Sequence, residues 1–350
     1  MKGAAITRVT LKRMGPALIP LPPLAEQHRI VAKVDELMAL CDRLGAARGS
    51  REAVRDRLAA VSLARLNAPD PETFQADTRF ALDALPALTT RSDQIKALRQ
   101  TILNLAVRGK PVPQDANDEP AALGKQQRAP VATVVPFEAK QSWRWAEFGD
   151  VATFENGDRG KNYPNRDEYV EKGVAWINTG HIRPDGSLSL ATMNFIAREK
   201  FESLGGGKIR PGDLLYCLRG ATFGKTAFVE PFAEGAIASS LMIVRPSAVL
   251  DRRFTYLYLI SPSGRSQLLR FDNGTAQPNL SSGNVKKYLV PIPPVAEQHR
   301  IVARVDKLMA LCDRLEASLT AIAATRRRLL DALMAEALAP AEDRELEAAE

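Results

Sequence analysis

From Ile301 onward, apolar residues recur in alternating steps of four and three: Ile301, Val305, Leu308, Cys312, Leu315, Leu319, Ile322, then Arg326, Leu329 and Leu333. That spacing predicts a long helix with a coiled-coil seam and one charged interruption. The same pattern opens earlier, at Ile30, Val34, Leu37, Cys41 and Leu44. The two stretches are a repeat: residues 20–44 and 291–315 are identical at 21 of 25 positions, the exceptions being Leu21/Ile292, Leu24/Val295, Lys33/Arg304 and Glu36/Lys307. Each copy opens with prolines that cannot be helical. A run free of Gly and Pro follows, placing Glu26 or Glu297 near the positive end of the predicted helix. In the first copy the pattern falters at Gly45–Ser50 and resumes out of phase at Val54, Leu58 and Val61, which predicts a bend or stutter. A third stripe, Ile95, Leu98, Ile102 and Leu105, precedes Gly109, a plausible C-terminal cap. Helices of about 40 residues would span roughly 60 Å, more than ordinary packing inside one domain requires, so a spacer of paired helices is favoured.

Between the helical regions the character changes. Residues 111–142 hold five prolines and read as a linker. From Trp143 to Val290, short apolar runs separated by Gly and Asn turns predict strands at Val174–Asn178, Asp213–Leu218 and Ala236–Val244. Tyr256–Ile260 and Gly264–Phe271 read as helical or strand pieces closing the core of a mixed α/β domain.

Composition narrows the class. The chain has 350 residues, 45% of them hydrophobic and 25% charged, enough for two domains. Its longest apolar runs are too short for a membrane span and no signal-peptide order opens it, so a cytoplasmic protein without a membrane partner is expected. Cys41, Cys217 and Cys312 have no CxxC spacing and there are only three histidines, which argues against a zinc site and for reduced, packed thiols. His28 and His299, equivalent in the two repeats, are expected to be structural. The net charge of +7 divides as +6 over residues 1–142, +4 over 143–290 and −3 over 291–350. A basic body with an acidic tail is compatible with a nucleic-acid partner without establishing one.

Enzyme motifs fail one at a time. Gly220-Ala-Thr-Phe-Gly224-Lys225-Thr226 has three residues between its glycines where a phosphate loop needs four. No Asn/Asp-Pro-Pro-aromatic motif for an amino-methyltransferase is present. The Glu138-Ala-Lys140 pair lacks the preceding Pro-Asp of a nuclease, and no Gly-x-Ser-x-Gly elbow appears. Catalysis by this chain alone is not expected.

The order of proline cluster, EQHRIV helix, α/β domain, proline cluster and EQHRIV helix resembles the specificity subunit of type I restriction-modification enzymes. The resemblance also rests on Trp143, Trp145 and Gly149-Asp150-Val151, on Trp176 to Ile182, on Pro211 to Leu215, on Gly220 to Gly224, and on Gln277-Pro-Asn-Leu-Ser281 leading into Val290 to Pro294. Residues 95–120 are similar to the segment after the family's first long helix. The resemblance implies an α+β chain with one mixed α/β target recognition domain, flanked by long helices that form an antiparallel coiled-coil spacer. The implied division is a stub and proline-rich lead-in at 1–24, a first spacer region at 25–110, a linker at 111–142, the recognition domain at 143–290, a second spacer helix at 291–338 and an acidic tail at 339–350.

The resemblance further implies a DNA reader with no cofactor of its own. Its partners would be double-stranded DNA, methyltransferase subunits using S-adenosylmethionine and docked on the helices, and a restriction subunit using ATP and Mg. Members carry two recognition domains, whereas only 19 residues precede the first repeat here. Three readings stay open: a subunit that pairs with a second copy, one completed by another specificity chain, or a truncated remnant with weak DNA binding, the first being favoured. The rival class is a coiled-coil scaffold whose α/β domain binds protein.

Sequence-specific contacts require Arg, Lys, Asn or Gln on loops that approach the duplex closely. The candidates are Arg159, Lys161, Asn162 and Tyr163 in a Gly-rich loop, His181 and Arg183, then Arg219, Thr222 and Lys225, and last Asn273, Gln277 and Asn279. The asparagines have an alternative role in shaping turns. Gln277 and Asn279 have an alternative role leading into the second spacer helix, and the lysines an alternative as ordinary surface charges. Trp143, Trp145 and Trp176 are expected in the core. The spacer seam is assigned to Ile30, Val34, Leu37, Leu44, Ile301, Val305, Leu308, Leu315, Leu319 and Ile322.

Overall fold

The computed structural model describes residues 20–70, 72–121, 135–219, 224–271 and 280–338. The expected stub at 1–19, the linker centre at 122–134, the acidic tail, and Thr222, Asn273, Gln277 and Asn279 lie outside the described residues. Mixed helix and sheet make up the rest, and both repeats are the first half of a long helix. These are α1 (Leu24–Asn67) and α10 (Val295–Leu338), 44 residues each, or about 66 Å at 1.5 Å per residue. Among the described residues, no helix is long and apolar enough to cross a membrane.

The chain divides into two units, Met1–Leu58 and Ala59–Glu350, with the boundary inside α1. In the first unit α1 runs unbroken through Gly45 and Gly49, where the pattern predicted a bend. Open space surrounds both glycines, and each costs only about 1 kcal/mol against Ala, which a long helix of strong formers absorbs. The first-copy seam residues Ile30, Val34, Leu37 and Leu44 are all exposed. Cys41 is exposed too, which corrects the expectation of a packed thiol.

In the second unit the end of α1 buries Ala59, Ser62, Leu63 and Leu66, a face of i, i+3, i+4, i+7 spacing. The line expected there is displaced, since Val54 and Val61 are exposed. After α2 (Phe74–Asp83) and α3 (Leu85–Leu88), the third stripe forms α4 (Ser92–Val107), with Ile95 and Ile102 buried. Gly109 caps α4 at φ +68°: its N–H donates to the Ala106 carbonyl at 2.9 Å and that of Lys110 to Leu105 at 3.0 Å. A Cβ there would stand 2.5 Å from Cζ2 of Trp143. Gly109→Ala combines left-handed strain with overpacking, so urea denaturation should show a loss of about 2–4 kcal/mol.

The α4 helix runs antiparallel to α10. Arg99 bonds Asp313 at 2.7 Å and Glu316 at 3.1 Å, while Leu103, one turn on, lines one cavity together with Val305. Ile301, Val305 and Cys312 are buried, and Leu308, Leu315 and Leu319 pack half-buried on the same core. The second seam is thus filled by α4 and by α7 (Arg252–Ile260) as far as Leu319, and Ile322, Leu329 and Leu333 are exposed.

Among the described residues, three sheets form the α/β part. Strands β1 (Arg144–Glu147) and β11 (Leu289–Ile292) pair antiparallel. Strands β2 (Ala152–Asn156), β10 (Leu241–Pro246), β7 (Leu214–Cys217) and β8 (Thr226–Phe228) form, in that order, an antiparallel sheet. The third sheet runs β3 (Tyr169–Val170), β5 (Asn194–Ile196), β4 (Val174–Ile177), β9 (Gly235–Ile237), β6 (Lys208–Ile209), parallel only between β4 and β9. Short helices α5 (Phe148–Val151), α6 (Arg198–Ser203), α8 (Pro262–Leu269) and α9 (Ser282–Lys286) connect them.

Strand periodicity of two sorts the core. Leu215, Cys217, Leu241 and Ile243 join Ile177, Ile209 and Ile237 on one side, whereas Leu214, Tyr216, Met242 and Val244 join Phe254, Tyr288 and the α4–α10 pair on the other. The run Ala236–Val244, expected as one strand, is two strands in different sheets. The chain turns between them where Ala238 N–H bonds Ile177 and Leu241 N–H bonds Ala238. Trp143 and Trp176 are buried, and Trp145 is half-buried, edge-on to Phe137 at 4.8 Å.

The second EQHR motif anchors α10. Glu297, fully buried, accepts from the Trp143 indole N–H at 2.9 Å and from Lys140 at 3.0 Å. Those partners compensate its charge. The Gln298 amide accepts the Asp251 N–H at 2.7 Å and donates to the Val249 and Pro293 carbonyls, each at 2.8 Å. Arg300 pairs with Asp118 at 2.9 Å. The two repeat histidines, expected to be structural, are exposed, His299 standing 3.7 Å from Asp251.

Candidate nucleic-acid interface

Antiparallel register decides which loops meet. Asn156 lies opposite Met242, Leu241 opposite Cys217, and Tyr216 opposite Thr226. The ends of β2 and β7 and the starts of β10 and β8 therefore share one edge, and the loops leaving them gather there. Strand β4 ends at the same place, since Ala238 N–H donates to the Ile177 carbonyl at 2.8 Å. Leu280 N–H bonds the Leu218 carbonyl at 3.1 Å, and the Asn156 amide donates to Ser282 Oγ at 3.2 Å, which brings in the segment ahead of α9.

A polar cleft of about 190 Å³ opens on this edge, lined by Asn156, Arg159, Arg219, Leu280, Ser281 and Ser282. Among the described residues, no carboxylate lines it. The Nε of Arg219 is buried without a hydrogen-bond partner among the described residues, and Arg159 donates to the Ser239 carbonyl at 3.3 Å. Two guanidinium groups beside hydroxyl and amide donors suit an anion with several acceptor oxygens, such as a phosphodiester, or the acceptor edge of guanine.

The loop carrying Arg159 is held in place. The Asp158 carboxylate accepts the N–H groups of Gly160 at 2.6 Å and Gly205 at 2.7 Å, which hold it below the ordinary carboxylate range. Asn162 donates to the Ser203 carbonyl at 2.7 Å, and Tyr163 stands edge-on to Trp176 at 5.3 Å. Both side chains thereby help shape the loop and remain half-buried. His181 is only 4% exposed and its Nδ1 accepts the Asn178 N–H at 3.1 Å, a buried position that corrects its assignment as a base contact.

Burial pushes the His181 imidazole below its usual pKa, with a hydrogen bond to the Thr192 backbone opposing. The unfolded chain then takes the proton first. Stability contributed by neutral His181 is complete above about pH 6.5 and is lost as pH falls through the folded value, at up to about 1.4 kcal/mol per pH unit. Unfolding free energies measured from pH 7 to 5 should show that slope in the parent and a flatter one in His181→Asn.

Lys161 is exposed and Lys225 half-buried, each on a loop of the same edge. Arg183 is exposed in a different place. Its turn, closed by Arg183 N–H to Ser187 at 2.9 Å, lies at the far end of β8, where Phe228 N–H bonds Gly186. Ser281 and Ser282 escaped the sequence reading, because 126 residues separate Ser282 from its partner Asn156 and short serines carry no periodic signal. The Glu155–Arg245–Asp213 network escaped it too. Arg245 bonds Asp213 at 2.8 and 3.0 Å and Glu155 at 2.7 Å, joining strands that local pattern cannot relate.

Comparison with known proteins agrees with this architecture. Relatives include the EcoAI specificity subunit of Escherichia coli, 28% identical over 345 residues, covering 90% of this chain and 57% of that protein. The EcoEI specificity subunit of Escherichia coli is 27% identical over 362 residues, covering 91% and 58%. The chain thus spans a little under three fifths of the curated relatives it matches. Among solved structures, a chain from work on complex assembly and conformational transition of the type I R-M system superposes with TM-score 0.52 at 23% identity, covering 91% of this chain and 60% of that one, a likeness of fold. Residues 140–322, just over half the chain, match the family described as type I restriction modification DNA specificity domain, and the chain belongs to that family.

Proposed function

We propose that this chain is a noncatalytic, cytoplasmic specificity subunit of a type I restriction-modification complex, with residues 143–290 as its target recognition domain. Loops at one edge of the four-stranded sheet contact double-stranded DNA. Methyltransferase subunits, which use S-adenosylmethionine, are directed to adenines at the site, and a restriction subunit using ATP and Mg cleaves. A second recognition domain reads the other half of a split recognition sequence. The observation that carries this reading is the Arg159–Arg219 cleft on an edge where the antiparallel register gathers basic, Gly-containing loops, within a domain of the DNA specificity family.

The test mixes the purified chain with the methyltransferase subunit and maps adenine methylation on a DNA library. Methylation at one sequence, absent for either component alone, is the expected result. Affinity for that DNA should fall log-linearly with salt, at about 0.9 in slope per phosphate neutralised. A flat salt response with no methylation would overturn the reading and favour a protein-binding scaffold.

A further inference from the structure

The apolar stripe of α4 is wider than its contact with α10 requires. Leu98, Ile102 and Leu105 of that stripe open onto a cavity, to which the end of α1 adds Leu66, α2 adds Phe74 and α10 adds Leu308. The cavity measures about 310 Å³. Packed interiors hold few voids larger than one water, so this volume belongs with the smaller ligand pockets. It shares no lining residue with the Arg159–Arg219 cleft.

Two cations border this apolar space, and neither has an ion-pair partner among the described residues. Arg304 sits on α10, where the residues one turn away are Arg300, Ile301, Lys307 and Leu308, so its own helix offers it no carboxylate. Lys110 follows the Gly109 cap of α4, and its ammonium stands 5.4 Å from the centroid of the Phe74 ring, a cation–π contact. Arg304 is exposed and Lys110 half-buried, so both reach solvent. Among the described residues, no Asp or Glu lines the cavity. The Thr78 hydroxyl, on α2, borders it too and is buried without a hydrogen-bond partner among the described residues. Hydrocarbon walls, two uncompensated cations and a spare hydroxyl donor complement one kind of molecule, a hydrocarbon ending in an anion.

We infer that this cavity binds a small anionic amphiphile, a monocarboxylate of about ten to twelve carbons, with its tail among Leu66, Ile102 and Leu308 and its carboxylate at Lys110 and Arg304. Volume sets the length. A cavity of about 150 Å³ takes one benzene, and this one is about twice that size. Charge sets the head group, because a neutral or cationic head leaves both cations unmatched. A nucleic-acid strand does not suit the site, since its sugars and bases would lay polar groups against leucine and phenylalanine without hydrogen-bond partners.

The test uses the full chain without DNA, so its outcome is separate from that of the DNA-reading proposal. Calorimetric titration with decanoate, kept below its micelle concentration, should show one saturable site. Decanol, the same chain without the charge, should bind at least about tenfold more weakly, and octanoate, two methylenes shorter, roughly tenfold more weakly. Lys110→Gln with Arg304→Gln should abolish the preference for decanoate while leaving decanol unchanged. Leu311→Trp, at a lining position that is 45% exposed, narrows the cavity and should weaken both ligands at least about tenfold. Alkyl chains also adhere to exposed helix faces such as that of Ile322 and Leu329, and the variants separate that case. No saturable decanoate site, equal affinity for decanoate and decanol, or binding indifferent to these substitutions would overturn the inference. If circular dichroism shows that Leu311→Trp does not fold, the charge pair decides alone.

Discussion

Arg245→Met should lower the unfolding free energy by about 3–5 kcal/mol, the usual cost of leaving buried charge without its partner. The Arg245 guanidinium lies on β10 and forks onto both oxygens of Asp213, at 2.8 and 3.0 Å. It also reaches Glu155 on β2 at 2.7 Å and the Lys208 carbonyl on β6 at 2.9 Å, so a single side chain ties the two larger sheets together. Asp213 is 3% exposed. Burial raises its pKa despite the arginine, whereas for Glu155 burial is outweighed by Arg245 and by the Gly207 and Lys208 N–H groups, and its pKa is lowered. Removing the cation leaves two carboxylates facing one another in a partly dry site. Both would then rise, so the deficit of the variant should be largest near pH 7 and shrink toward pH 4 as they take up protons. Thermal and urea denaturation at pH 7 and pH 5 check this, with Tm expected to drop by roughly 10 °C at pH 7. A deficit under about 1 kcal/mol at pH 7 would mean that the network contributes no more than a surface pair.

The second large effect concerns DNA. Arg159→Ala with Arg219→Ala should weaken binding to the methylated target about 10- to 100-fold, since each charge-assisted contact contributes about 1.5–3 kcal/mol and its loss is partly offset by water. If the two groups neutralise phosphates, the slope of log affinity against log salt should shallow by about 0.9 for each. If one of them reads guanine, the slope shallows by less and discrimination at one base pair relaxes by about 1–3 kcal/mol. Arg183→Ala serves as the comparison, because its turn stands at the other end of β8. Fluorescence anisotropy over a salt series separates these cases. Equal losses from Arg183→Ala and from the cleft pair would show that the wrong edge has been chosen.

Legibility followed the range of the interactions. The two long helices, the α4 stripe with its Gly109 cap, and the strands around Val174 and Leu214 were readable because apolar period and turn chemistry are local. The break within Ala236–Val244 was not, because Ser239 and Ser240 are only weak turn formers and the chain changes sheets there to meet Ile177. Among the DNA candidates, Arg159 and Arg219 converge on one cleft, whereas Asn162, Tyr163 and His181 hold loops in shape. Residue type could not separate these roles, since the same amides and rings that suit a base edge also suit a carbonyl or an indole inside the fold. Glu138-Ala-Lys140, meaningless as a nuclease motif, supplied the ammonium for Glu297, 157 residues away.

What the amino-acid order determines by itself is therefore what neighbours within a turn or two can enforce: two helices of one design, a basic α/β domain between them, and a C-terminal acidic segment. Tertiary structure decided the rest. It chose α4 and α7 as the occupants of the second seam as far as Leu319 and left the first seam exposed. It also set Arg159 and Arg219 on a single cleft and Arg183 elsewhere. The physical reason is that a seam or a loop specifies only the kind of surface it can meet. Which surface it meets depends on strand register and on contacts across more than a hundred residues, and no local pattern encodes those.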